Sequence, residues 1–234
     1  MRKLLQAIRA VLFYIGLVTL VLLMSLSVCL IGFLPFRYRQ LCLTFGNKLI
    51  MAWLRITCGV KVKIIGLNNI PDSACVVLSN HQSTWETFFL QHLFVPASVI
   101  LKRELLWIPF FGWGLYAMRA IAIKRSKPAG AIRQVLKQGK KRLSKGIKVI
   151  IFPEGTRVRG TEVGTFMTSG AALAKAAAVP ILPVRHNAGQ CWPAGSWLKN
   201  PGTISIVIGP TIATDDHNPR ELTEIAQQWI SNAL

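Results

Sequence analysis

Acidic residues are scarce in this 234-residue chain: Asp and Glu total 9 against 28 Lys and Arg, and the formal net charge is +19. A surface this basic favours an anionic partner, such as nucleic acid, a phosphate-bearing substrate or anionic lipid. Hydrophobic residues make up 52% of the chain and the mean hydropathy is +0.42, which is high for a soluble nucleic-acid binder. The two properties together favour a membrane surface with anionic lipids as partners, and disfavour nucleic acid.

Charge is absent from residues 10–36, between Arg9 and Arg37. As a helix this run is roughly 40 Å long, against a bilayer hydrocarbon core of about 30 Å. A cleavable signal peptide is the alternative, because Arg2 and Lys3 resemble its basic region. The apolar region of a signal peptide is shorter, however, at roughly 7–15 residues, and a small-residue cleavage site follows it. We therefore expect a retained membrane-associated helix.

A second apolar pattern follows, in which Leu41, Phe45, Leu49, Trp53 and Ile56 recur at helical spacing. Basic residues flank the first run on both sides, so the positive-inside rule gives no orientation. One spanning helix would place these flanks on opposite sides of the membrane. Two helices that dip into one leaflet would keep every basic flank in the cytosol, and we favour that arrangement.

CxxC pairs are absent, and the five cysteines are an odd number. The sequence therefore indicates neither a metal site nor a disulfide framework, and buried free thiols in a reducing compartment fit it best. Internal repeats, low-complexity tracts and long linkers are absent as well.

From residue 59 onward, short apolar runs alternate with helical patterns. This alternation predicts an α/β domain over residues 59–234, with a mixed, largely parallel sheet flanked by helices, preceded by an N-terminal membrane-associated helical region over residues 1–58. The predicted strands cover residues 60–65, 74–78, 98–101, 120–123, 148–152, 181–184 and 203–208, and the predicted helices cover 86–93, 128–143, 169–178 and 220–233.

A polar cluster, Ser-Asn-His-Gln-Ser-Thr-Trp-Glu, follows the predicted strand at 74–78. Ser83 and Glu86 match a capping box, in which Ser83 is the N-cap and Glu86 reaches back to it. A cap leaves His81 unexplained. Glu86 on the first helical turn can instead accept a hydrogen bond from one imidazole nitrogen, which leaves the other nitrogen as a general base. The base would act on a substrate hydroxyl, since the chain has no G-x-S-x-G motif.

A second polar turn, Phe-Pro-Glu-Gly-Thr-Arg, follows the predicted strand at 148–152. Gly155 permits close backbone approach, Thr156 offers a hydroxyl, and Arg157 offers a bidentate fork for phosphate. An ordinary turn with a surface pair of Glu154 and Arg157 is the alternative. Two such clusters at strand ends favour a site, because sites in α/β domains form at the carboxyl ends of strands.

The two stretches together resemble the glycerolipid acyltransferase family, and within it the lysophosphatidic acid acyltransferases of bacterial type. Residues 102–125 resemble the family's second block, and residues 179–184 resemble its fourth. The resemblance implies an O-acyltransferase of phospholipid biosynthesis that acts on lysophosphatidic acid, with acyl-CoA or acyl carrier protein as acyl donor and no metal or bound cofactor. It also implies a membrane location, which we expect to be a bacterial inner membrane with the catalytic domain on the cytoplasmic side.

The resemblance assigns roles residue by residue. His81 would deprotonate the sn-2 hydroxyl, and Glu86 would orient His81. The residues that would hold the phosphate and glycerol of the acceptor are Lys102, Arg125, Glu154, Gly155, Thr156 and Arg157.

The sequence departs from the family pattern at three places; the first leaves the reaction class standing, and the other two loosen the identity of the acceptor. Glu86 stands where the family usually has aspartate, Arg119 and Ala120 stand where a glycine is common, and the stretch after Phe166 lacks a common lysine. Another lysolipid acceptor, such as lyso-ornithine lipid or a lysophospholipid, therefore stays open. So does a catalytically inactive basic module that binds membranes.

Overall fold

The structure, a computed structural model, describes residues 2–124, 126, 128–160 and 162–234. Within these residues, seven strands overlap the seven predicted from the sequence. They are β1 (Val60–Ile65), β2 (Val76–Ser79), β3 (Ala97–Lys102), β4 (Ile121–Ile123), β5 (Lys148–Ile151), β6 (Ile181–His186) and β7 (Gly202–Ile208).

The strands form one sheet in the order β1-β7-β6-β2-β5-β3-β4. Neighbouring strands run parallel except β6 and β7, which are antiparallel. The predicted mixed, largely parallel sheet is thus confirmed. Since β6, β2 and β5 are adjacent and parallel, their carboxyl ends lie at one edge of the sheet, where sites form in this class of fold.

Helices cover both faces of the sheet. The four that were predicted in the α/β part are all present, with ends that differ by up to two residues, while two short helices, α4 and α7, were not predicted. The α-helices of the described residues are α1 (Arg2–Ile31), α2 (Phe36–Cys58), α3 (Trp85–Leu93), α4 (Phe111–Ala117), α5 (Pro128–Leu143), α6 (Ser169–Ala176), α7 (Ala188–Cys191) and α8 (Pro219–Asn232).

The central strands are buried on both sides, because alternate side chains of a strand point to opposite faces. Val77 and Ile150 belong to a core shared with α1, α2 and α3. Val76 and Val149 belong to a second core, shared with α5, α6 and α8. Burial on both faces fixes the positions at which β2 and β5 end, and so fixes the polar residues that follow them.

The sequence suggested that the charge-free run at residues 10–36 is one continuous helix, and this prediction is wrong. The first helix ends at Ile31, and a turn through Gly32 leads to Pro35, which precedes α2. Proline fits the first positions of a helix but interrupts a helix interior, so the chain reverses here. Among the described residues, one helix, Lys3–Ile31, is long and apolar enough to cross a membrane.

The second helix exposes large apolar residues on its outer side, while its inner side buries polar residues together with apolar ones. Phe45 and Ile56 are 58% and 74% exposed. Gln40 and Asn47 are buried, and the side chain of Asn47 donates a hydrogen bond to the backbone oxygen of Phe88 at 2.9 Å. The apolar stripe predicted for this segment therefore faces away from the sheet and is available to a membrane.

Candidate active site

The polar cluster after β2 brings an imidazole and a carboxylate together. Nδ1 of His81 lies 2.8 Å from Oε1 of Glu86, and the Glu86 side chain is fully buried. An ionised carboxylate can only accept hydrogen bonds, so Nδ1 carries the proton and Nε2 keeps a free lone pair. The arrangement gives His81 the tautomer that a general base needs.

The same oxygen of Glu86 also serves the backbone. It accepts hydrogen bonds from the N–H groups of Gln82 at 2.8 Å and Ser83 at 2.7 Å. Capping and orientation of the imidazole, which the sequence presented as alternatives, are therefore performed by one atom. The predicted N-cap is wrong by one residue: the helix begins at Trp85 with Thr84 as N-cap, although the Ser83 hydroxyl accepts a hydrogen bond from the N–H of Trp85 at 3.1 Å.

The charge of Glu86 is maintained despite its burial. Burial alone would raise the pKa of Glu86. The neighbouring imidazoles of His186 and His81 and the N–H donor of Ser83 outweigh it and hold the pKa below the usual value. Glu86 is thus an ionised acceptor at neutral pH, and the hydrogen bond from His81 is charge-assisted.

The imidazole is held between the carboxylate and an aromatic ring. Its ring stacks on Phe152, the residue after β5, with centroids 4.4 Å apart and an interplanar angle of 17°. His81 is 9% exposed. Packing on one face and a hydrogen bond at Nδ1 leave the ring little freedom to turn.

The backbone of His81 is clamped by the turn after β5. Its N–H donates to Oε2 of Glu154 at 2.8 Å, and its carbonyl accepts from the N–H of Val158 at 2.8 Å. The other oxygen of Glu154 accepts from the N–H of Gly164 at 2.9 Å. Burial raises the pKa of Glu154, although these two N–H donors and the charge of Arg185 oppose the rise. Glu154 thus joins the two polar stretches that the sequence predicted to meet.

A pair of residues outside the predicted site closes its rear. The side chain of Asn80 donates to the backbone oxygen of His186 at 2.9 Å and accepts from its backbone N–H at 3.0 Å. The imidazole of His186 returns a bond from Nε2 to the backbone oxygen of Asn80 at 2.8 Å. Both residues are fully buried. They fasten the ends of β2 and β6 immediately beside His81.

A cavity of about 630 Å³ extends from the turn after β5 to the N-terminal helices. Three predicted substrate residues, Lys102, Thr156 and Arg157, line it together. Arg159 also lines it, and this residue was missed although the spacing Arg-Val-Arg pointed to it. Apolar side chains form most of the remaining wall, among them Val21, Met24, Leu43, Phe88, Val99, Leu101 and Leu115.

The other predicted residues that the structure describes do not line this cavity. His81 and Glu86 lie behind Phe152, which is part of the cavity wall. Gly155 has a φ of 70°, in the region that favours glycine, and a Cβ there would lie 2.5 Å from Cε of Met167. Arg125 lies outside the described residues. Within the described part of the chain, no group of three or more His, Cys, Asp or Glu side chains is arranged to hold a metal ion.

Comparison with known proteins identifies related chains. The sequence model of the Acyltransferase family matches residues 61–187. The chain is 47% identical to a 1-acyl-sn-glycerol-3-phosphate acyltransferase of Pseudomonas aeruginosa, over 98% of this chain and 91% of that protein. It is 33% identical to the chloroplastic 1-acyl-sn-glycerol-3-phosphate acyltransferase BAT2 of Brassica napus, over 74% of this chain and 51% of that one.

The fold has a counterpart among solved structures. The crystal structure of the 1-acyl-sn-glycerophosphate (LPA) acyltransferase PlsC from Thermotoga maritima matches with a TM-score of 0.85 and 24% identity. The match covers 100% of this chain and 96% of that one. The likeness therefore includes the two N-terminal helices as well as the sheet.

Proposed function

Since the chain belongs to the acyltransferase family, we propose that it transfers a fatty acyl group from an acyl thioester to the sn-2 hydroxyl of lysophosphatidic acid, giving phosphatidic acid for phospholipid biosynthesis. The observation that carries the proposal is the buried pair of His81 and Glu86 behind a cavity that joins basic side chains to apolar walls. The names of the relatives, one of which aligns along nearly the whole chain, supply the acceptor.

The reaction follows from the orientation of His81. Nε2 accepts the proton of the acceptor hydroxyl while the hydroxyl oxygen attacks the thioester carbonyl carbon. The carbon–sulfur bond breaks, and the thiolate leaves and takes up the proton that the imidazolium carries. Glu86 stays ionised and stabilises the imidazolium as it forms. The thioester is already activated, so the proposal includes no metal and no bound cofactor.

Basic residues at the polar end of the cavity suit the acceptor's phosphate. Arg157 and Lys102 provide charge there, and Thr156 provides a hydroxyl. We assign Arg159 to the same group because it lines the same cavity. Arg125, which the resemblance also assigns to the acceptor, stays a prediction. Glu154 differs, because its oxygens bind backbone N–H groups, and we propose that it positions His81.

The apolar part of the cavity suits acyl chains. Its walls come from α1, α2, α3, β3 and α4, so an acyl chain placed there would run from the reacting atoms toward the exposed apolar sides of the N-terminal helices. A substrate drawn from a membrane would enter along this route. The donor, acyl-CoA or acyl carrier protein, stays open.

We propose that both N-terminal helices dip into one leaflet of a bacterial inner membrane, with the site on the cytoplasmic side. Two contacts that dock α1 against the rest of the chain support this arrangement. The buried Nζ of Lys199 donates to the hydroxyl of Tyr14 at 2.8 Å, and Gln6 donates to the backbone oxygen of Lys199 at 3.0 Å. A helix whose first half is fastened at Gln6 and Tyr14 in this way is poorly placed to cross the bilayer alone.

The test is acyl transfer by the purified chain in lipid bilayers. An acyl thioester would be supplied with lysophosphatidic acid, a lysophospholipid or lyso-ornithine lipid in parallel reactions. Transfer to lysophosphatidic acid supports the proposal. Transfer to another lysolipid alone would keep the chemistry and overturn the acceptor, and transfer to none of them would favour an inactive membrane-binding module.

A further inference from the structure

A second cavity, of about 790 Å³, lies between the turn after α1, the end of α4, β4 and α5. Four arginines line it, Arg39, Arg103, Arg119 and Arg142. It has no lining residue in common with the cavity at the candidate active site. Within the described part of the chain, no Asp or Glu lines this four-arginine cavity, and none of its arginines forms a salt bridge. The four positive charges thus share one space without a carboxylate.

Backbone carbonyls and a ring hold three of the guanidiniums in place. Arg39 donates to the carbonyls of Ala117 at 3.0 Å and Gly32 at 2.8 Å. Arg142 donates to the carbonyl of Arg119 at 3.3 Å. The guanidinium of Arg119 lies over the ring of Phe36, 4.6 Å from its centroid. The cluster is therefore ordered before a ligand arrives, which lowers the entropy cost of binding one.

The arrangement of charges is unfavourable without an anion. Burial, and next the charge of Arg119, lower the pKa of Arg39 and the pKa of Arg142. The backbone of Arg119 adds a second cost, because its φ of 54° lies in the left-handed region that favours glycine. An anion in the cavity would neutralise the repulsion. Guanidinium groups suit phosphate in particular, since they bind two of its oxygens at once.

The surroundings of the cavity are those of a membrane surface. Val28 and Gly32, at the end of α1 and in the turn after it, line one side. Phe33 in that turn is 83% exposed, and Tyr116 at the cavity rim is 81% exposed. Exposed aromatic residues next to an apolar helix are typical of the headgroup level of a bilayer. The phosphates of anionic lipids lie at the same depth.

We propose that the four-arginine cavity binds the phosphate of an anionic phospholipid headgroup, at a site separate from the one at His81. The lipid is a resident of the membrane and takes no part in acyl transfer. It fastens α4 and α5 to the bilayer surface beside the turn between α1 and α2. The proposal stands whether or not lysophosphatidic acid is the acceptor.

The experiment measures lipid retention by the full-length purified chain. Native mass spectrometry in a non-ionic detergent would be used to titrate phosphatidylglycerol and, separately, phosphatidylcholine. We expect the wild-type chain to hold one phosphatidylglycerol in preference to phosphatidylcholine. The variant Arg119→Gln/Arg142→Gln should weaken that binding at least about tenfold, the loss expected when hydrogen bonds to a charged group are removed. Arg103→Gln should weaken it in the same direction, and because Arg103 is exposed this variant spares the packing of the chain.

A matched variant separates the site from general basicity. Arg133→Gln/Lys137→Gln removes two positive charges, as many as the double variant in the cavity, from exposed positions of α5 outside the cavity. This variant should retain the lipid. Equal retention by all variants would overturn the proposal, and so would an equal loss in the matched variant. Loss in Arg157→Ala alone would place the lipid in the active-site cavity and overturn it as well. If millimolar inorganic phosphate displaced the lipid, the ligand of the cavity would be a free anion, and the proposal of a lipid would be overturned.

Discussion

Asn80 and His186 are joined by three hydrogen bonds: the Asn80 side chain donates to the His186 carbonyl and accepts from the His186 N–H, and the His186 imidazole donates to the Asn80 carbonyl. The side chain of Asn80 thereby replaces a peptide group at the point where the β2–β6 ladder ends. This pairing sets the position of the next residue, His81, relative to the sheet.

Replacement of Asn80 by alanine should therefore reduce the stability of the fold. The buried N–H and carbonyl of His186 would lose their partners, and we expect the free energy of unfolding to fall by about 2–3 kcal/mol. Denaturant titration in detergent measures this loss. A change within experimental error would show that the two side-chain bonds do not stabilise the fold.

Glu86→Gln tests the link from carboxylate to imidazole. The amide oxygen can still accept from Gln82 and Ser83, so the helix start should survive, but it cannot provide the negative charge beside His81. We expect kcat to fall about 100-fold with little change in KM for either substrate. A fall in stability with normal turnover per folded molecule would instead reduce Glu86 to a helix cap.

Glu86 should also make the stability of the fold depend on pH. The pKa of Glu86 is lowered in the folded chain, so its ionised form stabilises the fold above the usual carboxyl range, and this contribution disappears as the pH falls through the lowered value. Glu86→Gln has no such titration. The advantage of wild type over the variant in free energy of unfolding should therefore shrink as the pH falls below about 5. A constant difference would contradict the ionised state of Glu86.

Glu154→Gln distinguishes positioning of His81 from contact with the acceptor. The carboxylate bridges the N–H groups of His81 and Gly164, and an amide can satisfy one of them but not both as an acceptor. If Glu154 positions His81, kcat falls by about tenfold and KM for lysophosphatidic acid stays the same. An increase in that KM at constant kcat would instead show that Glu154 contacts the acceptor.

Arg157→Ala should chiefly weaken the binding of the acceptor. Loss of a charge-assisted contact to phosphate should raise KM for lysophosphatidic acid about 10- to 100-fold and leave KM for the thioester unchanged. Steady-state kinetics with each substrate varied in turn would measure this. Lys61→Ala, a change of the same charge on β1 outside the cavity, is the matched control. A rise in the thioester KM instead would assign Arg157 to the donor.

The sheet was predictable because its strands are short apolar runs that end in turn residues. The central strands carry Val, Ile and Leu on both faces, and these faces are buried in the two cores. The helix α4 was not predictable in the same way. Its sequence, Phe-Gly-Trp-Gly-Leu-Tyr-Ala, contains two glycines, and Trp113 and Tyr116 are exposed, so its position depends on packing against other parts of the chain.

The site was predictable where spacing determined it. His81 and Glu86 lie five residues apart across a helix start, which brings their side chains together whatever the rest of the fold does. The contribution of Asn80 required the three-dimensional structure, because its partner His186 is 106 residues away. The four-arginine cavity was hidden for the same reason, since its arginines come from four separate places: α2, the segment after β3, the turn after α4, and α5.

The measurement that tests the account most directly is the turnover of purified His81→Ala in bilayers, with an acyl thioester and lysophosphatidic acid as substrates. The variant keeps Glu86 and the cavity, so membrane association and the fold should be retained. We predict that turnover falls at least about 100-fold, the contribution expected of a general base. Turnover equal to that of wild type would contradict the role of His81 and, with it, the proposed mechanism.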